Sequence, residues 1–126
     1  MIHDRHYTVG EANELLPQLA PKLDQLRDAR DRLTDAEVHE ALSGAAPTNG
    51  GGEPGRQVGE AFLELRRVVG ELQELELVVR DIDRGLIDFP AIIEGREVYL
   101  CWQRGEDEVG HWHDLDAGYR GRRPLT

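Results

Sequence analysis

At Asp88-Phe89-Pro90, a turn signal, the spacing of apolar residues changes period, and this change constrains the fold more than any other feature of the chain. Before it, apolar residues recur every three or four positions, the repeat of a helix; after it they fall in short runs dense in β-branched and aromatic residues, broken by turn signals. Leu16, Leu19, Leu23, Leu26 and Leu33, with Ala29 near the same line, form one stripe. Val58, Ala61, Phe62, Leu65, Val68, Val69, Leu72, Leu75, Val79 and Ile82 form a second, wider one. The stretch SGAAPTNGGGEPGRQ between them offers almost nothing to bury and turns readily. Two amphipathic helices joined in this way predict an antiparallel hairpin.

After Pro90, the runs 91–93, 97–102 and 108–113 are separated by Glu94-Gly95-Arg96 and Arg104-Gly105-Glu106-Asp107, which predicts a three-stranded antiparallel meander. The expected class is therefore α+β: a helical hairpin, with a short N-terminal helix, packed on a small C-terminal sheet. Thr8-Val9-Gly10-Glu11 reads as a capping box that starts the first helix. Pro17 and Pro21 each lack an amide hydrogen, so that helix is expected to end or kink near Leu16. The expected elements within a single domain 1–126 are helices at about 8–16, 18–42 and 58–84, a flexible loop 44–57, a meander 91–113 and a basic tail 118–126. Gly85 is expected to close the last helix behind Asp81 and Asp83.

The chain has 126 residues and a net charge of -10, with 39% hydrophobic and 32% charged residues. No apolar run approaches the roughly 18 residues of a membrane-spanning helix, and the start MIHDRHYTVGEANELL does not resemble a secretion signal. A single Cys forms no intramolecular disulfide, consistent with a reducing, cytoplasmic setting. Net acidity argues against wholesale wrapping of nucleic acid. The Gly-rich stretch lacks the Lys-Ser/Thr that follows a phosphate-binding loop, so no nucleotide is expected there.

Chemistry-bearing residues are concentrated at the end of the chain. His111 and His113 sit two apart on an expected strand and so share a face. Two imidazoles are half a zinc site; Asp116, with Asp114, Cys101, His3 and His6, supplies candidates to complete it. A two-residue turn at Gly105-Glu106 pairs Leu100 with His111 and sends Cys101 to the opposite face; a register shifted by one brings Cys101 opposite His111. The single Gly favours the former. Cys101 between Leu100 and Trp102 reads better as a small buried residue than as a nucleophile. Arg120, Arg122 and Arg123 form a local cationic patch suited to an anionic small molecule, or to pairing with the acidic helices.

Three blocks, TVGEANELLPQL, GLIDFPAIIEGREVYLCW and HWHDLDAGYRGRRPL, resemble a family of small bacterial proteins classed as domain of unknown function 2203. The resemblance covers the chain outside the Gly-rich loop. It implies a cytoplasmic protein with a helical hairpin and a small C-terminal sheet, and it assigns no activity to any residue.

The functional expectation is a non-enzymatic interaction or regulatory module acting as a dimer, because the second apolar stripe is wider than one partner helix covers. The alternative is a metal- or anion-binding protein, with or without enzymatic activity. Its site would be the His111, His113, Asp116 and arginine cluster, with a divalent transition metal such as zinc as the cofactor.

Overall fold

A computed structural model describes residues 1–43 and 53–126. Two helices, α1 (Val9–Ser43) and α2 (Glu53–Glu74), precede five strands: β1 (Val78–Asp81), β2 (Leu86–Ile93), β3 (Arg96–Gln103), β4 (His111–Asp114) and β5 (Arg123–Pro124). A 3-10 turn at Tyr119–Gly121 separates the last two strands. All five strands belong to one sheet in the order β1-β2-β3-β4-β5, and each is antiparallel to its neighbour. The α+β class holds, with five strands in place of the expected three. Of the expected loop 44–57, residues 44–52 lie outside the described residues, and 53–57 already belong to α2.

The expected capping box forms: the Thr8 amide donates to Glu11 Oε1 at 2.9 Å, and the Glu11 amide donates to Thr8 Oγ1 at 3.1 Å. The expected break at Pro17 does not occur, and a single helix runs through Pro17 and Pro21. Each proline removes one hydrogen bond and crowds the carbonyl four residues back, a cost of about 3 kcal/mol. Leu19, Leu23 and Leu26 are 0%, 2% and 2% exposed, and burying each stabilises by about 1.5–3 kcal/mol. Three such side chains on one face are of a size to offset the two prolines on the exposed side.

Helix α2 ends at Glu74 and does not reach the expected residue 84. The Leu77 amide donates to the Leu72 carbonyl at 3.1 Å, the Glu76 amide donates to Gln73 at 2.9 Å, and Glu76 takes a φ of 58°. This is a Schellman stop, with the buried pair Leu72 and Leu77 as its apolar contact. A glutamate occupies the left-handed position where glycine is usual, which hides the stop in the sequence. Gly85 is left-handed as expected (φ 67°), but it turns β1 into β2 and does not close a helix.

Asp88-Phe89-Pro90, expected as a turn, lies inside β2. Pro90 is tolerated because β1 pairs no further along β2 than Asp88. Beyond that point the β2 edge is free, and the Tyr7 amide uses it by donating to the Pro90 carbonyl at 2.7 Å. Alternation then separates two faces. Ile87, Phe89 and Ala91 of β2, with Val98, Leu100 and Trp102 of β3, join Leu19, Leu23 and Leu26 in the core. The opposite face carries Asp88, Tyr99, Cys101 and His113, all of them buried.

Candidate metal centre

Register brings the chemistry of this second face together. In β2–β3 Asp88 pairs with Cys101, and in β3–β4 Cys101 pairs with His111 and Tyr99 with His113. This corrects the two-residue-turn expectation: the connection 104–110 is long, and it places Cys101 on the histidine face.

Among the described residues, one group of His, Cys, Asp and Glu brings three ligand atoms within 4.8 Å of one another: Asp88, Cys101 and His113, all buried. His113 Nε2 lies 3.0 Å from Asp88 Oδ1, and both side chains are 1% exposed. His113 Nδ1 lies 2.7 Å from the Asp114 carbonyl oxygen, which can only accept, so Nδ1 carries a proton. In the neutral ring Nε2 therefore presents a lone pair to a carboxylate oxygen. Despite the short separation, Asp88 Oδ1 makes no directed hydrogen bond. Two facing lone pairs at that distance repel unless a proton or a cation lies between them.

The remaining Asp88 oxygen is satisfied, because Arg80 Nε donates to Oδ2 at 2.8 Å. The Arg80 guanidinium also lies over the Tyr99 ring, 5.1 Å from its centroid. Burial pushes the Cys101 thiol up to about 12, the negative charge of Asp88 adds to the rise, and Arg122 opposes it. Cys101 is thus a thiol at neutral pH, which is the wrong state for a nucleophile. It becomes a thiolate ligand only if a metal displaces its proton.

The donor set fits zinc. One nitrogen, one sulfur and one oxygen are zinc-type ligands, and two ligand atoms on a tetrahedral zinc stand about 3.3 Å apart. The Nδ1–H to carbonyl bond is the outer-shell contact that orients a ligating imidazole. A zinc held by these three residues would keep a fourth position for another ligand, and a cavity of about 300 Å³ adjoins Asp88 and His113, lined also by Arg80, Leu86, Leu115, Asp116, Gly118 and Tyr119.

The expected site residues are thus placed unequally. His113 and Cys101 enter the cluster. Asp116 lines the adjoining cavity but is not one of the three ligand residues. His111 is engaged elsewhere: its Nδ1 lies 3.0 Å from Arg122 Nη2 and so accepts from that guanidinium, with Glu106 Oε2 3.6 Å away. The arginines have three different settings. Arg122 pairs with Glu106 at 2.6 Å, Arg123 lies over the Trp112 ring at 5.4 Å, and Arg120 sits exposed in the 3-10 turn.

The sequence hides Asp88 and Arg80, because the segments that carry them have the local signals of a turn and of a helix. The available signal was a lone acid inside the apolar run LIDFPAII.

The N-terminal segment covers the other end of this face. Glu97 accepts from the amides of Ile2 at 2.8 Å and His3 at 3.0 Å and pairs with His6 Nε2 at 2.7 Å. Burial pushes its carboxyl up, but the His6 imidazole and the two amides outweigh that and hold it down at about 2. His3 Nε2 reaches Tyr99 Oη at 2.7 Å, and the Tyr99 ring lies 5.6 Å from that of His113.

No helix among the described residues is long and apolar enough to cross a membrane. No curated protein and no solved structure matches the chain. The family model described as "Uncharacterized conserved protein (DUF2203)" matches residues 5–125, and the chain belongs to that family.

Proposed function

We propose that this is a cytoplasmic zinc-binding protein whose metal is held by Asp88, Cys101 and His113, with the fourth position open to the cavity beside Arg80. The observation that carries this reading is the contact of His113 Nε2 with Asp88 Oδ1 at 3.0 Å, inside a fully buried site where Oδ1 has no hydrogen bond. A shared proton would relieve that contact as well. Zinc accounts in addition for the Cys101 sulfur at the same point, and for the Nδ1 anchor that keeps Nε2 aimed inward. A reduced thiol ligand suits the cytoplasm.

Metal analysis of the untagged protein, reloaded with zinc under reducing conditions, tests the assignment. One zinc per chain is expected, lost in Cys101→Ser and His113→Ala and kept in His111→Ala. A wild-type protein that takes up no zinc, or a His113→Ala variant that keeps it, overturns the reading.

A second reading concerns self-association. An apolar groove of about 440 Å³ runs along Leu65, Val69, Val78, Val79 and Ile82, and Phe62 beside it on α2 is 50% exposed. Strand β1 borders the groove and is a sheet edge. An apolar knob next to an apolar groove suits isologous pairing with a second copy, and so supports a dimeric regulatory module. Sedimentation of wild type and Phe62→Asp tests this: a dimer that becomes a monomer is expected, and a monomeric wild type sinks it.

A further inference from the structure

We infer that the cavity beside the proposed metal binds a small zwitterion, a free α-amino acid with an aliphatic side chain, whose carboxylate meets Arg80 and the metal and whose ammonium meets Asp116. The inference rests on the zinc reading for one of its anchors; the others come from the cavity walls.

Arg80 and Asp116 both line the cavity. Among the described residues, Arg80 makes one hydrogen bond, through Nε to Asp88 Oδ2, so both terminal nitrogens are uncommitted. Its side chain is 42% exposed and held in place by Asp88 below and the Tyr99 ring beside it. Asp116 is exposed and has no hydrogen bond or ion pair among the described residues. It does not pair with Arg80 although both border one space.

Arg80 is ion-paired with Asp88 through Nε, so what the cavity offers a ligand is its two terminal nitrogens and the Asp116 carboxylate, and groups of opposite charge that do not meet each other suit a ligand that carries both. A simple anion would satisfy Arg80 and meet repulsion from Asp116, and a simple cation the reverse. Buried Leu86 and half-buried Leu115 supply an apolar wall for an aliphatic side chain. The Tyr119 ring lies close to the guanidinium groups of Arg84 at 4.3 Å and Arg122 at 5.0 Å. A volume of about 300 Å³ lies at the small end of ligand cavities, which run from about 300 to 1,000 Å³, and suits a molecule of this size.

The test is calorimetric titration of L-leucine, N-acetyl-L-leucine and L-leucinamide into protein of measured zinc content. Leucine should bind one per chain. N-acetyl-leucine lacks the ammonium and leucinamide lacks the carboxylate, so each should bind at least tenfold more weakly. Asp116→Asn should keep its zinc, lose at least tenfold in leucine affinity and narrow the gap to N-acetyl-leucine. Arg80→Ala should lose leucine binding, with zinc content measured alongside because Arg80 supports Asp88. Zinc-loaded protein that ignores leucine, or binds either blocked analogue equally well, overturns the ligand class while leaving the metal reading intact. If no zinc is taken up the metal reading falls, and the same titrations still decide: preference for leucine over both analogues supports the charge-paired cavity, and no preference overturns it.

Discussion

The side-chain oxygen of Asn13 accepts a hydrogen bond from the Val109 amide at 2.7 Å, tying the first turns of α1 to the β3–β4 connection. Val109 is buried, and this contact seats a connection long enough for the register that puts Cys101 beside the histidines. Asn13→Ala would leave a buried amide without a partner, and we expect a loss of about 1–3 kcal/mol by denaturant unfolding. A change of a few tenths would mean that water replaces the side chain.

Gly85 should tolerate no side chain. Its φ is 67°, and a Cβ there would stand 2.5 Å from Arg104 Cβ, which is held close because the Arg104 amide donates to the Gly85 carbonyl at 2.9 Å. Strain and overlap combine, so Gly85→Ala should cost about 2–4 kcal/mol in the same measurement. Gly95→Ala provides the comparison: its φ is also left-handed at 77°, but nothing lies within 4 Å of the added carbon, and the cost should fall to about 1 kcal/mol.

Docking of the N-terminal segment should weaken in acid. The Glu97 carboxyl is depressed to about 2, so its contribution is complete above the ordinary carboxylate range and is lost as pH falls from about 4.5 to about 2. We expect Glu97→Gln to melt below wild type at pH 7 and the difference to vanish over that window. Hydrogen exchange at the Ile2 and His3 amides should speed up in the variant already at neutral pH.

Zinc binding should release the Cys101 proton. The thiol lies at about 12 in the metal-free fold, so it is fully protonated at pH 7.5 and must lose its proton on ligation. Calorimetry in buffers of differing ionisation enthalpy should show at least one proton released per zinc bound by the wild-type protein, and no zinc-linked release from Cys101→Ser, which is expected to bind none. Without metal, the raised thiol favours the fold below the ordinary thiol range, and this contribution should fade as pH rises from about 9 toward 12. Alkylation of the metal-free native protein at pH 8 should be far slower than that of the unfolded chain.

Local signals in the sequence were read well where each acts alone. The capping box, the α1 stripe and the pairing of Glu97–Trp102 with the histidine strand needed only periodicity and hydrogen-bonding capacity. Readings failed where distant packing overrode local preference. Burial of Leu19, Leu23 and Leu26 carries α1 through two prolines, and Glu76 adopts a left-handed conformation to stop α2 where no glycine announces it. That second failure concealed the site. Apolar spacing at the helical repeat continues through Val79 and Ile82, which hides Arg80 from the sheet face, and the turn signal at Asp88-Phe89-Pro90 hides Asp88 as the register partner of Cys101. His111 and His113 share one strand face; Arg122 and Glu106, from the segments on either side of β4, engage His111 and make the two different.

Because each strand pairs only with its neighbour in the chain, the three proposed ligand residues are brought together by two successive hairpins, with little chain to close between them. Loop-closure entropy is small for contacts of this kind, and local pairings form early in folding. A metal present during refolding would therefore meet its ligands before α1 has closed over the opposite face. Zinc should speed the folding phase in which the β2–β4 hairpins form and should leave docking of the helical hairpin, which spans most of the sequence, as the slow metal-independent step.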